Sequence, residues 1–228
     1  MSVMNDLSVA PGVREKVLAS RDRFWRPEDF PGSPDAVAKA LSRLADAGEL
    51  RRVRRGLYWR GRPTRLGMAP PPPARFAHEV VDTPGTGPAG WSAGLALGLS
   101  TQVPRRDTIA VPGRAPRDSG TVKFVSRAGS TKRRDERLSP HEVALLEVLR
   151  GWNTVVEVPT AAAVERIRGL VATGTLRLDR IVRASATEPP RVRERLRRLL
   201  DAIGHSDEAG GVRPARSESV REDLALAG

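Results

Sequence analysis

Ser33, Asp35, Lys39, Ser42 and Arg43, followed within a dozen residues by Arg51, Arg52, Arg54 and Arg55, gather the side chains that grip phosphate and read base edges. A guanidinium fork matches a phosphate, or the O6 and N7 acceptors of guanine, with two parallel hydrogen bonds. Hydroxyl and carboxylate groups at the start of a helix reach the edges of bases in a groove. The spacing divides the set in two. Lys39, Ser42 and Arg43 recur at helical intervals behind Ser33 and Asp35, which predicts one exposed helix face able to meet base edges or adjacent phosphates. The four later arginines flank Gly56 in two β-prone stretches, and are expected to contact the phosphate backbone, giving affinity and salt dependence more than sequence choice.

Residues for bond-making chemistry are not arranged in this way. The three histidines, His78, His141 and His205, are far apart and lack metal-ligand spacing, and the chain has no cysteine for a thiolate site or a disulfide. Gly85-Thr86-Gly87-Pro88-Ala89-Gly90 matches a dinucleotide-binding pattern letter for letter. The segment before it carries Asp82 and Pro84 instead of a buried parallel strand, and no βαβ unit follows, so it is read as a flexible entry to a helix starting at Trp91. Gly32-Ser33 followed by Asp46 resembles a nucleotidyltransferase pattern, but the second metal-holding carboxylate is replaced by Gly48. Glu142, Glu147 and Glu157 are assigned to helix surface or loop. The expectation is therefore a protein that is not an enzyme, with no catalytic residue, no metal site and no cofactor.

The elements that must position the cationic residues follow from periodicity. Val13, Val17 and Leu18 mark a helix over Val13 to Ser20, after an unpatterned opening segment. Phe24 to Phe30 contains Pro27, suited to the first position of a short second helix closed by Pro31-Gly32. Ser33 as N-cap, Pro34 at the first turn and Asp35 at the positive end of the dipole open a third helix. It buries Val37, Ala40, Leu41 and Leu44, exposes Lys39, Ser42, Arg43 and Asp46, and stops at Gly48. Leu50 to Val53 and Leu57 to Arg60 then form a hairpin. Helix, short helix, turn, long helix, hairpin is the order of a winged helix-turn-helix.

The fold class expected is α+β: a winged helix-turn-helix over 1–65, a proline-rich linker over 66–75, a mostly helical second domain with a small β-sheet over 76–204, and a disordered tail over 205–228. Pro70 to Pro73 supports the linker. In the second domain, strands are expected at Thr108 to Val111 and Thr121 to Ser126. Helices are expected from Trp91 to about Leu97, from Ser139-Pro140 to Arg150, from Pro159 to about Thr173, over Leu178 to Ala186 and over Arg191 to Ile203. In the last of these, arginines occupy the face opposite Val192, Leu196, Leu199 and Leu200.

Composition supports a polyanionic partner. The 228 residues carry 39 Lys and Arg against 27 Asp and Glu, a formal net charge of +12. Residues 1–65 hold half of it, with 14 cations against 8 carboxylates, and a second basic stretch, 105–137, holds 10 against 4. The second stretch suits an extended DNA footprint, an RNA, an acidic partner or a solvated loop. Only 4% of residues are aromatic, so Trp25, Trp59, Trp91 and Trp152 are expected to anchor cores built mainly from Leu, Val and Ala. No apolar run approaches the ~20 residues of a membrane span and the first ten residues lack signal-peptide character, which points to the cytoplasm.

Several phrases together resemble a known family: Asp35-Ala36-Val37 with Leu41-Ser42-Arg43-Leu44, Gly48-Glu49-Leu50, Arg52-Val53-Arg54-Arg55-Gly56-Leu57-Tyr58, Gly87-Pro88-Ala89-Gly90-Trp91-Ser92-Ala93, and Leu97-Gly98-Leu99-Ser100-Thr101-Gln102-Val103-Pro104. They look like the AbiEi antitoxins of type IV toxin-antitoxin systems, over about residues 13 to 200. The resemblance implies a winged helix that represses its own operon by binding repeats in double-stranded DNA. It also implies a carboxy-terminal domain with antitoxin activity and a companion gene encoding a nucleotidyltransferase-like toxin. It names no catalytic residue. Two other readings stay open on the residues alone: a nucleic-acid-processing enzyme delivered by the winged helix, and a transcription factor with a ligand-sensing second domain.

Overall fold

A computed structural model describes residues 3–65 and 67–215, and the chain divides at Glu79–Val80 into two compact units. The fold class is α+β. Among the described residues no helix is long and apolar enough to cross a membrane.

The amino-terminal unit runs α1 (Val3–Leu18), β1 (Arg23–Trp25), a 3-10 turn (Pro27–Asp29), α2 (Pro34–Asp46), β2 (Arg51–Arg54), β3 (Leu57–Arg60), β4 (Pro63–Thr64), β5 (Gly67–Met68) and α3 (Pro73–Val80). Three departures from expectation matter. Helix α1 begins ten residues before Val13, so the opening segment from Val3 onward is helical, not unpatterned. Arg23–Trp25 is a strand, because its aromatic pair packs across β3, with Phe24 and Trp59 ring centroids 4.6 Å apart. The expected linker is partly structured, since β5 pairs with β4, Met68 is buried, and Pro73 opens a helix that buries Phe76 and Ala77.

Strand order β1-β3-β2, antiparallel throughout, makes a three-stranded wing sheet. Its central strand buries Leu57, Tyr58 and Trp59, whereas β2 is an edge whose arginines are exposed. An edge lined with charge resists pairing with another chain. Val37, Leu41 and Leu44 of α2 join Val13, Val17, Trp25 and Phe30 in one core, each such side chain contributing roughly 1.5–3 kcal/mol by burial.

The carboxy-terminal unit comprises β6 (Gly87–Pro88), α4 (Trp91–Ala96), β7 (Asp107–Val111), β8 (Val122–Ser126), α5 (Lys132–Asp135), α6 (Pro140–Arg150), α7 (Trp152–Val155), α8 (Thr160–Ala172), α9 (Leu178–Ser185), α10 (Pro190–Ala202) and α11 (Ser206–Gly211). Its sheet has the order β6-β7-β8, with β7 and β8 parallel. Helix α6 is the core, buried on every side from Glu142 to Leu149.

That burial corrects four assignments. Glu142 and Glu147 are interior, not surface, residues, and each is saturated by arginine. Arg177 grips both oxygens of Glu142 at 2.6 and 2.8 Å, and Arg127 grips both oxygens of Glu147 at 2.8 Å. Arg133, from the second basic stretch, has no solvent exposure and bridges Glu147 and Glu188. Arg195 turns inward from α10 to donate to the Leu149 carbonyl at 2.8 Å, so that helix does not present a purely solvated arginine face. Trp91 is 36% exposed and anchors no core, unlike Trp25, Trp59 and Trp152.

Gly85 and Gly87 of the nucleotide-like pattern are packing devices, not a flexible entry. A Cβ on Gly85 would stand 2.6 Å from the Arg133 carbonyl group, and one on Gly87 2.8 Å from the Pro140 oxygen. The expected disordered tail also needs correction up to residue 215, because α11 and the residue after it bury Ala209 and Val212. The remainder, 216–228, lies outside the described residues.

Candidate nucleic-acid interface

The two ends of helix α2 are finished differently. Ser33 occupies the N-cap position with extended backbone, but its side chain makes no capping hydrogen bond, contrary to the expectation from its type. At the other end Gly48 adopts φ +74°, its N–H bonds the Ala45 carbonyl at 3.0 Å, and the Glu49 N–H reaches back to Leu44 at 2.9 Å. This is the Schellman arrangement, in which a left-handed glycine satisfies the last carbonyls and turns the chain sharply into the next element. The turn delivers the chain directly into β2.

The outward face of α2 carries Asp35, Lys39, Arg43 and Asp46, all exposed, with Ser42 half-buried beside them and Ser33 exposed before the first turn. Lys39 and Arg43 are four residues apart, which puts their Cβ atoms about 5–6 Å from one another on one face. A helix of about 10–12 Å diameter fits a major groove about 12 Å wide. In the wing, Arg52 pairs with Tyr58 and Arg54 with Leu57, a register slip that bulges β2 at Val53. Bulges re-aim side chains and increase strand twist. Gly56 turns the hairpin at φ +72°, leaving Arg54 and Arg55 exposed at the tip.

The cations of this unit fall into two populations. Lys16 donates to the Asp29 carbonyl, Arg14 pairs with Glu49, Arg23 lies 4.1 Å over the Trp25 ring, Arg26 pairs with Glu79, and Arg75 stacks over Trp59. These hold the unit together. Lys39, Arg43, Arg52, Arg54 and Arg55, by contrast, have no side-chain hydrogen bond or ion pair with any described residue, and neither do Arg21, Arg62 and Arg65. Five of these eight lie on α2 or the wing.

Arg51 departs from its expected role. Its Nη1 donates to the Met68 carbonyl at 3.1 Å, which ties the base of the wing to the β4–β5 hairpin. Sequence reasoning also missed β1, which pairs with the central wing strand through Arg23–Arg60, Phe24–Trp59 and Trp25–Tyr58. The β-prone aromatic pair Phe24-Trp25 was the available signal.

In the carboxy-terminal unit, Arg127, Arg133 and Arg150 surround Glu147 and Glu188. Arg150 reaches Glu188 at 2.8 Å. Burial pushes the Glu147 carboxyl up, but hydrogen bonds from Arg127 and the charges of Arg133 and Arg127 outweigh it and hold the group below its ordinary range. The same competition, burial against Arg177 and the backbone N–H groups of Ser139 and Arg177, lowers Glu142. Of the second basic stretch, Arg127 and Arg133 are thus engaged inside the protein, whereas Arg106 with Asp118 and Lys132 with Asp135 form exposed surface pairs.

The model of a family of unknown function, DUF6088, matches residues 22–133, from β1 to α5. No curated protein matches the chain. Among solved structures, the chain is similar to the RV2827C protein from Mycobacterium tuberculosis, at 20% identity and a TM-score of 0.48, over 89% of this chain and 78% of that one.

Proposed function

We propose that this chain is a cytoplasmic regulator that binds double-stranded DNA at its own operator and represses its own operon. Helix α2 enters the major groove, where Ser33, Asp35, Lys39, Ser42 and Arg43 meet base edges. Arg52, Arg54 and Arg55 track the flanking phosphates. The observation that carries this reading is that five of the eight unpartnered cations described in this unit, Lys39, Arg43, Arg52, Arg54 and Arg55, are gathered on α2 and the wing. A winged helix serving only as a protein-docking module has no need of that concentration of free charge. A gel-shift titration with the DNA upstream of its own gene tests it. Binding to that duplex about 10³-fold or more tighter than to a scrambled duplex is expected, and equal binding to both removes the repressor reading.

The carboxy-terminal unit we assign as the antitoxin half of a type IV, AbiE-like system opposing a nucleotidyltransferase-like toxin, with no catalysis of its own. Support comes from the resemblance of Gly87 to Pro104 to AbiEi antitoxins. The buried carboxylates Glu142, Glu147 and Glu188, each neutralised by arginine, also fit a structural better than a chemical role. Co-expression with the adjacent gene is expected to relieve growth arrest caused by that gene alone, and arrest that persists contradicts the assignment.

A further inference from the structure

Two buried nitrogen donors at the end of β3 lack an acceptor. The Trp59 indole Nε1 and the Arg60 Nε are both shielded from solvent and hydrogen-bonded to nothing among the described residues, and Trp59 as a whole is 1% exposed. Leaving a buried N–H without an acceptor is costly, so such donors point to an acceptor supplied from outside the chain.

Beside them opens a cleft of about 460 Å³, lined by Arg21, Asp22, Arg60, Gly61, Arg62 and Pro63. Gly61 packs against the indole from the cleft side, since a Cβ there would stand 2.3 Å from Trp59 Nε1. Arg60 is anchored through Nη1 to the Glu49 carbonyl at 2.8 Å. Arg21 and Arg62 are exposed and have no partner among the described residues. Asp22, in the left-handed turn between α1 and β1 at φ 51°, is the one carboxylate among the lining residues, against three guanidiniums.

This cleft is separate from the wing tip. Arg23 pairs with Arg60 at the cleft end of β3 and Arg54 with Leu57 at the other, about 10 Å away at roughly 3.3 Å per residue. A ligand that presents only acceptors, carries more than one negative charge and extends beyond a single ion fits the donors, the charge and the volume.

We propose that the cleft binds a phosphate-bearing small molecule, with Arg21, Arg60 and Arg62 around the phosphate and the Trp59 indole, packed behind Gly61, close enough to sense the occupant. Full-length protein labelled with ¹⁵N gives one indole signal for each of Trp25, Trp59, Trp91 and Trp152, and these are followed during titration with inorganic phosphate, pyrophosphate or adenosine monophosphate at constant ionic strength. A saturable shift of the Trp59 signal, with Trp91 and Trp152 unmoved, is expected. In an Arg21→Ala/Arg62→Ala variant the affinity is expected to drop at least about tenfold while the other indole signals report an intact fold. An unsaturable drift of all four signals, an unchanged titration in the variant, or a shift produced by duplex DNA but by none of the three small probes overturns the proposal.

Discussion

Arg133 and Glu188 form a two-pronged ion pair, Nε to Oε1 at 2.6 Å and Nη2 to Oε2 at 2.9 Å, with neither side chain reaching solvent. The pair joins α5 to the turn before α10, and Glu147 on α6 completes the bridge through Arg133 Nη1 at 2.7 Å. Desolvation of such charges is tolerated only while every partner remains in place.

Arg133→Met is therefore expected to destabilise the carboxy-terminal unit by about 3–5 kcal/mol, the usual cost of leaving buried charge uncompensated. Urea unfolding monitored by circular dichroism measures it. A decrease below about 1 kcal/mol would mean that Arg127 and Arg150 neutralise Glu147 and Glu188 unaided.

Acid sensitivity follows from the same cluster. Glu142 and Glu147 are held below the ordinary glutamate range in the folded protein, so the stability they contribute is fully present above that range and is lost as pH falls through their folded-state values. Stability of the unit should stay level, as far as these groups decide it, down to about pH 5 and decline below about pH 4. Glu147→Gln should shrink that acid-induced decline, and an identical pH profile in the variant would contradict the linkage.

Gly87→Ala should destabilise by about 1–3 kcal/mol through overpacking, because the added methyl meets the Pro140 carbonyl and Val143 Cβ at 2.8 Å. Thermal unfolding of the variant provides the check. An unchanged midpoint would show that α6 can yield at this point.

What was legible in the sequence was the part governed by local rules. Val37, Ala40, Leu41 and Leu44 repeat at helical spacing and are the buried face of α2, and Gly48 ends the helix with the positive φ its position required. Ser139-Pro140 likewise marks the start of α6, where Ser139 and Glu142 cap each other. Nonlocal partners were invisible. Glu142 and Glu147 look like surface residues until Arg177, 35 positions away, and Arg127, 20 away, are brought against them. The three residues of β1 are too few for periodicity, and only pairing with β3 makes them a strand. At the interface, exposure of Lys39, Arg43, Arg54 and Arg55 followed from pattern, whereas the tether from Arg51 to Met68 depends on a hairpin whose two-residue strands carry no sequence signature.

The two halves of the interface should separate under mutation. Lys39→Ala or Arg43→Ala is expected to reduce discrimination between the operator and a scrambled duplex by about 1–3 kcal/mol per base that the side chain reads. Arg55→Ala should weaken binding to both duplexes alike. Competition assays with the two sequences distinguish these patterns, and uniform weakening by Lys39→Ala would move that residue to the phosphate-binding group.

The most direct test of the central claim is the salt dependence of binding to the upstream duplex, measured by fluorescence anisotropy for the wild type and for Arg54→Ala/Arg55→Ala. The wild type should bind with a Kd on the order of 10⁻⁸ M at physiological salt and weaken steeply as salt rises. The double variant should lower the slope of log affinity against log salt by about two, one for each phosphate that the missing guanidiniums would have neutralised. No saturable binding by the wild type, or a slope unaltered by truncation of the tip, would contradict a wing that rests on the DNA backbone.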